Sequence, residues 1–206
     1  DKVVEVSEAQ GTPVHQVFVG SCTNGSYMDL KAVAQIMKGK KVHHQVDFLI
    51  HASSKKDLEL IAREGYLTDL LEAGVNVAEP TCGACIGSGH VPASGTNSLR
   101  VANRNFQGRS GLKEDQVYLS SAEVGAASAI AGAIADPREL GMDAPGQDLP
   151  ELLTQENTNL VEPVRKEDAG KLEVQRGPNI QPVPAKAPLE DQIIAEVLLK
   201  VGDDIT

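Results

Sequence analysis

The 206-residue chain fits one large domain, or one domain and a tail. Apolar residues make up 41% but aromatics only 3%, with no Trp, so a core has to be built from Val, Leu, Ile and Ala, which suits helices covering a sheet. A net charge of −10 and a pI near 4.9 oppose binding to nucleic acid or anionic membranes, so neither is expected as a partner, and no apolar run reaches the roughly 18 residues of a membrane-spanning helix.

In chain order, residues 14–20 are an apolar, β-branched run that reads as a buried strand. It enters a polar turn, Ser21-Cys22-Thr23-Asn24-Gly25, with good helix-capping chemistry. Residues 27–38 then place Leu30, Val33, Ala34 and Met37 at helical spacing. A second short strand is predicted over 46–51, and helices over 56–65 and 67–73, with Gly65 and Gly74 as stops. A third strand over 74–78 ends at Glu79-Pro80-Thr81-Cys82. This alternation makes the fold class α/β: a three-layer α/β/α domain with a largely parallel sheet. Functional groups in such sheets gather where strands end and helices begin. Cys22 follows the first strand, and Cys82 and Cys85 follow the third, so thiols far apart in sequence can meet at one site.

Further on, residues 87–95 form a glycine-rich loop, 118–120 a short strand, and 122–135 an Ala-rich helix ended by Asp136-Pro137. After Gly141 the texture changes. Residues 142–192 hold seven of the eleven prolines, many charges and little periodicity, which reads as an extended linker. Residues 193–201 regain apolar character. The expected organisation is a domain over 1–141 and a Pro-rich linker over 142–206.

Three cysteines are an odd number, and Cys82-Gly83-Ala84-Cys85 is a C-x-x-C. No secretory signal is recognisable, so this pattern points to a reducing compartment, the cytoplasm, and to a metal or redox site rather than structural disulfides. Spacing alone leaves three readings: a redox C-x-x-C with an unrelated core cysteine, a zinc site completed by His15 or His90, or a cubane cluster. Most cubanes take four cysteines; with three, one iron would be open to substrate or water.

The second constellation is Asn103-Arg104-Asn105-Phe106-Gln107-Gly108-Arg109. Two arginines around a turn can offer forked donors to carboxylates. With Arg100 they form a local positive group in an acidic chain, which favours an anion site over a solvated basic turn. His43-His44 reads as surface, His15 and His51 as structural residues at strand ends, and His90 as a residue of the cysteine loop. Ser53, Ser54, Ser120 and Ser121 sit in no local nucleophile motif, and Gly87-Ser88-Gly89 is too short for a nucleotide loop.

Taken together, Val19-Gly20-Ser21-Cys22-Thr23-Asn24, Cys82-Gly83-Ala84-Cys85-Ile86-Gly87, the Asn103–Arg109 motif and Tyr118-Leu119-Ser120-Ser121-Ala122-Glu123 resemble the aconitase and isopropylmalate dehydratase superfamily. The resemblance runs over roughly residues 14–140, in the family's order, and residues 175–206 look like its connection into a mobile C-terminal domain. It implies a [4Fe-4S] cluster held by Cys22, Cys82 and Cys85, with substrate carboxylates bound by Asn103, Arg104 and Arg109. The implied reaction is dehydration and rehydration of a di- or tricarboxylic hydroxy acid at a Lewis-acid iron.

The long connection leans toward a bacterial monomeric aconitase, so citrate and isocitrate are the expected substrates, with an isopropylmalate- or homoaconitate-type dehydratase as the alternative. A non-catalytic iron-responsive module is the rival from another class. Ala84, Ala122 and His51-Ala52-Ser53-Ser54 stand where the family usually has Pro, Pro and a Pro-Gly-Ser turn. The chain opens on Asp1 and stops at Thr206, and is expected to be a piece of a longer protein. The family's serine base belongs to its C-terminal domain, so no catalytic base is assigned here. The expected partners are a small carboxylic acid and the remaining domains of the parent chain.

Overall fold

The structure, a computed structural model, describes residues 2–146, 148–149 and 161–203. The chain divides into two units, Asp1–Leu153 and Thr154–Thr206. In the second unit the described residues are almost all exposed and carry one 3-10 turn, Ala169–Lys171. The 141/142 boundary is not marked by a break. Past Gly141, the Gly146 amide still donates to Gln35, and Lys31 donates to the Asp148 carbonyl at 2.8 Å.

The first unit runs α1 (Val6–Ala9), β1 (Gln16–Gly20), α2 (Ser21–Asn24), α3 (Tyr27–Met37), β2 (Asp47–His51), α4 (Lys55–Arg63), α5 (Tyr66–Ala73) and β3 (Asn76–Ala78). A 3-10 turn at Gly83–Ile86 follows, then β4 (Asn97–Val101), β5 (Gln116–Leu119), α6 (Ala122–Ala131) and a 3-10 turn at Pro137–Leu140. All strand pairs are parallel, in the order β3-β2-β1-β4-β5.

The helix starts are secured locally. Ser26 and Asp29 form a reciprocal capping box on α3, and Ser54 caps α4 through the Asp57 amide. Asp57 also accepts from the Tyr27 amide at 3.0 Å, which ties the two helix starts together. Each such cap contributes about 1 kcal/mol.

Side chains alternate across a strand, and the two faces of this sheet differ. Val17, Val19, Phe48, Ile50, Leu99 and Val101 join Leu30, Val33, Met37, Ile61, Leu70 and Ala126 from the helices in the main core. Helix α6 comes close because it is made of small residues; a Cβ at Gly125 would press on Val101. On the other face Phe18, Leu49 and Ala102 are covered by Ala84 and Cys85. The layers are thus helices, sheet, and the cysteine turn with its loop.

Connection handedness accounts for this division. From β1 to β2 to β3 the sheet grows in one direction, with the helices on one face. The step from β3 to β4 reverses direction past β2 and β1, and a right-handed crossover in the reverse direction has to use the opposite face. The cysteine turn is therefore carried beneath the sheet.

Some elements differ from the sequence reading; α1 was not anticipated, and the polar turn Ser21–Asn24 is the helical α2. Strand β4 was not anticipated, because Asn97-Ser98-Leu99-Arg100-Val101 is not an apolar run, although it pairs with both β1 and β5. The tight turn of the C-x-x-C takes 3-10 form over Gly83–Ile86. Helix α6 stops at Gly132, which takes a left-handed conformation (φ 77°), ahead of Asp136-Pro137.

Candidate metal centre

The strand order reverses between β1 and β4, and the crevice at the C-terminal ends of those strands is where α/β sheets bind ligands. Cys22 lies on α2, directly after β1, and Asn103 lies two residues past β4. The Asn103 amide bridges the thiols of Cys22 and of Cys85, the latter on the 3-10 turn that follows β3. Its Nδ2 donates to the Cys22 sulfur at 3.9 Å, and Cys85, as a thiol, donates to its Oδ1 at 3.7 Å. Cys82 begins the 3-10 turn, and its carbonyl accepts from the Ile86 amide at 3.2 Å. All three cysteines are free; Cys22 and Cys82 are exposed and Cys85 is buried.

Backbone strain marks the Cys22 side. Ser21 is the one non-glycine residue with positive φ among the described residues (62°), and Gly20 before it has φ 142°. Such conformations cost about 1–3 kcal/mol and persist where the surroundings enforce them. A Cβ at either Gly20 or Gly25 would collide with the His51 carbonyl oxygen, so both glycines are needed for this close approach. Ser53 secures the strained peptide by donating to the Ser21 carbonyl at 2.9 Å.

Two arginines grip the paired-cysteine turn. Arg109 donates from Nε to the Cys85 carbonyl at 3.1 Å and from Nη2 to the Cys85 sulfur at 3.5 Å, with its guanidinium over the Phe106 ring. Arg100 donates to the Ala84 carbonyl from below. Burial alone would raise the Cys85 thiol. Donors from Arg109 and Ser21, with the charges of Arg109 and Arg100, outweigh that and hold it below its ordinary value, favouring the thiolate. The Ser21 hydroxyl is buried and lacks a well-formed hydrogen bond, which leaves it available to this sulfur.

The anticipated anion group is split by the fold. Arg100 is buried, and burial lowers its pKa to about 10, with Cys85 the group that counteracts this. Arg109 is committed largely to Cys85. Arg104 is exposed, with Nη1 on the Asn103 carbonyl at 2.9 Å.

The histidines lie elsewhere. His90 runs back to the N-terminal edge of the sheet and pairs with Asp47, and the His15 Nδ1 accepts from the Asn97 amide at that same edge. Neither can complete a zinc site with the cysteines. Among the described residues no three His, Cys, Asp or Glu side chains converge as one metal ion needs. A cubane, whose irons occupy separate corners, takes thiolates that are spread apart; Cys22 and Cys85 joined by one amide, with the free Cys82 at the head of the Cys85 turn and two guanidinium groups on that turn, fit that donor set. His43 and His44 stack on each other at 4.3 Å between ring centroids. His51 lies under the segment that leads to Cys82, where its Nδ1–H donates to the Glu79 carbonyl at 2.7 Å. Burial lowers its pKa and that hydrogen bond partly offsets the shift.

A model of the aconitase family (aconitate hydratase) matches residues 3–132. The chain belongs to this family. It is 45% identical over 140 residues to the 3-isopropylmalate dehydratase large subunit 1 of Methanopyrus kandleri, covering 67% of this chain and 33% of that protein. It is 48% identical over 129 residues to the 3-isopropylmalate dehydratase large subunit of Nautilia profundicola (62% and 30%). It is 45% identical over 141 residues to the homoaconitase large subunit of Thermus thermophilus (68% and 34%). The chain thus spans about a third of the length of these curated relatives. Within the aconitase family, the likeness to these relatives favours the dehydratase alternative over citrate and isocitrate.

Proposed function

We propose that this chain is the cluster-bearing part of a hydro-lyase of the isopropylmalate/homoaconitate dehydratase type. The observation that carries the reading is the convergence of Cys22, Cys85 and Asn103 at the strand-order reversal, in a chain 45–48% identical over 129–141 residues to the three large subunits named above. Cys22, Cys82 and Cys85 would hold a [4Fe-4S] cluster. When bound, such a cluster supplies Lewis acidity toward a hydroxyl and carboxylate through the iron that lacks a protein ligand.

The chain's own residues orient and bind. Asn103 keeps the Cys22 and Cys85 sulfurs in register from between them. Arg109 fixes the Cys85 peptide and sulfur, so its role here is as much to hold the turn as to meet substrate. Arg104 is exposed and, with Nη1 on the Asn103 carbonyl, would present its remaining donors to a carboxylate. The base that moves the substrate proton is expected from outside these residues. Candidate sources are the remaining domains of the parent chain or, as the names of the large-subunit relatives suggest, a separate small subunit. The three free thiols suit a reducing compartment such as the cytoplasm.

The test uses the full-length protein, reconstituted anaerobically with iron and sulfide. Replacing Cys22, Cys82 or Cys85 by Ser should each remove most of the iron and the broad visible absorption. Turnover of 3-isopropylmalate or homoaconitate should exceed turnover of citrate in kcat/KM. Arg104→Lys should lower kcat/KM by about 10- to 100-fold with iron retained, because charge is kept and the planar fork is lost. A full iron complement in all three cysteine variants would refute the ligand set, and a preference for citrate would refute the substrate class.

A further inference from the structure

The second face of the sheet carries a buried charge that touches the cysteine turn but is given no part in the reaction proposed above. Arg100, in β4, is 1% exposed. Its Nη1 donates to Gln16 Oε1 at 3.2 Å and to Ser98 Oγ at 3.4 Å, and its Nη2 donates to the Ala84 carbonyl. The guanidinium lies over the Phe18 ring, 4.8 Å from its centroid, and Nε has no partner among the described residues. Every one of these acceptors is neutral. A buried guanidinium ordinarily sits against a carboxylate, because removing the charge from water unpaired is costly. The residue that follows the carbonyl it holds is Cys85, whose sulfur would be a thiolate as a cluster ligand.

The contacts are directed at the turn. The Ala84 carbonyl, midway between the paired cysteines, also accepts from the Gly87 amide at 3.2 Å, and the next carbonyl, of Cys85, is taken by Arg109. Two successive carbonyls of the C-x-x-C are thus each held by an arginine. We propose that Arg100 is a positioning residue for the metal-bearing turn, fixing the Ala84 carbonyl from beneath and setting a permanent positive charge under the Cys85 sulfur. This rests on the iron-sulfur reading of the three cysteines. Net charge, hydrogen bonding and burial around the sulfurs set the reduction potential of such clusters, so the charge has a signature separate from turnover. It stabilises the more electron-rich state and raises the potential.

The experiment compares wild type, Arg100→Gln and Arg100→Lys in the full-length protein. Each is reconstituted anaerobically and followed by an EPR-monitored reductive titration, by iron loss to a chelator and by thermal unfolding of the metal-free form. Gln keeps a donor and loses the charge; its one-electron equilibrium should shift about tenfold toward the oxidised state, ~59 mV, and iron should leave about tenfold faster. Lys keeps the charge and loses the fork; its potential should stay at the wild-type value while iron still leaves faster. A wild-type potential in the Gln variant, with only the metal-free melting point lowered, means a structural role and overturns the proposal. Equal shifts in both variants overturn it too. Should the Gln variant not fold, the Lys variant decides: a retained potential with faster iron loss supports the proposal, and a shifted potential sinks it. A wild-type protein that takes up no iron and sulfide would instead bring down the metal reading on which the proposal rests.

Discussion

On one face of the sheet Val17, Val19, Phe48, Ile50, Leu99 and Val101 meet apolar side chains of the helices. On the other, Gln16, His51, Ser98 and Arg100 lie buried among Phe18, Leu49 and Ala102, beneath the cysteine turn. The first face is held by burial of area, which is non-directional and tolerates local rearrangement. The second is held by directed polar contacts: Ser98 to Gln16, Arg100 to Ala84, His51 to Glu79. Buried polar groups are costly when unsatisfied, so each partner constrains the next. One face supplies the main apolar core, and the other holds the turn that carries Cys85 and the segment that leads to Cys82.

A pair of substitutions tests this division most strongly. Phe48→Ala on the helix face and Phe18→Ala on the turn face each remove a fully buried ring and should each cost about 3–5 kcal/mol in denaturant unfolding. They should separate in metal retention. Phe48→Ala leaves the iron content of the folded fraction unchanged, whereas Phe18→Ala frees Arg100 and His51 beneath the turn and lowers it. Equal iron contents would erase the distinction between the faces. A smaller effect is expected from Gly25→Ala. The added methyl meets the backbone of His51 and Ser53, which cannot swing aside. Overpacking of this kind costs about 1–3 kcal/mol, and the displacement should reach Cys22 and show as reduced iron per chain.

The smallest effect concerns His51 and pH. Its folded-state pKa lies below 6.5, so the unfolded chain takes up its proton at higher pH than the folded one. The stability from the neutral ring is fully present above about pH 6.5 and declines as pH falls below it. Thermal melts of the metal-free protein should therefore drop as pH falls below about 6.5, and His51→Gln should flatten that part of the curve. An identical slope in the variant would mean that the ring is not held neutral by the fold.

The helix face was readable from sequence because its signals are local. Leu30, Val33, Ala34 and Met37 recur at helical spacing, Gly74 ends α5 as anticipated, and Gly65 follows the Glu64 C-cap of α4 and caps the start of α5. The turn face was not. Strand β4 escaped because Ser98 and Arg100 interrupt any apolar run, and their burial depends on Gln16 and Ala84, remote in sequence. For the same reason Arg100 looked like a member of an anion site when it is sealed under the turn. The cysteines were recognisable because thiol chemistry confines them to few patterns. The work of Arg109 was not, since it depends on where the Cys85 carbonyl points. The early end of α6 was predictable in principle from Gly132; the downstream Pro137 drew attention instead.

The crossover beneath the sheet also bears on the order in which the molecule can be made. Chains emerge from the ribosome N-terminus first, so Cys22, Cys82 and Cys85 are all synthesised before β4, Asn103 and Arg109 exist to hold them. For that interval the three thiols belong to a half-built sheet with β1 as an open edge. An inorganic cofactor offered then would find ligands without register, and an oxidant would find a vulnerable C-x-x-C. On the proposed iron-sulfur reading, ordered ligands would be on offer only after β4 slots against β1, which would tie the timing of metal insertion to the translation of the strand that looked least like one.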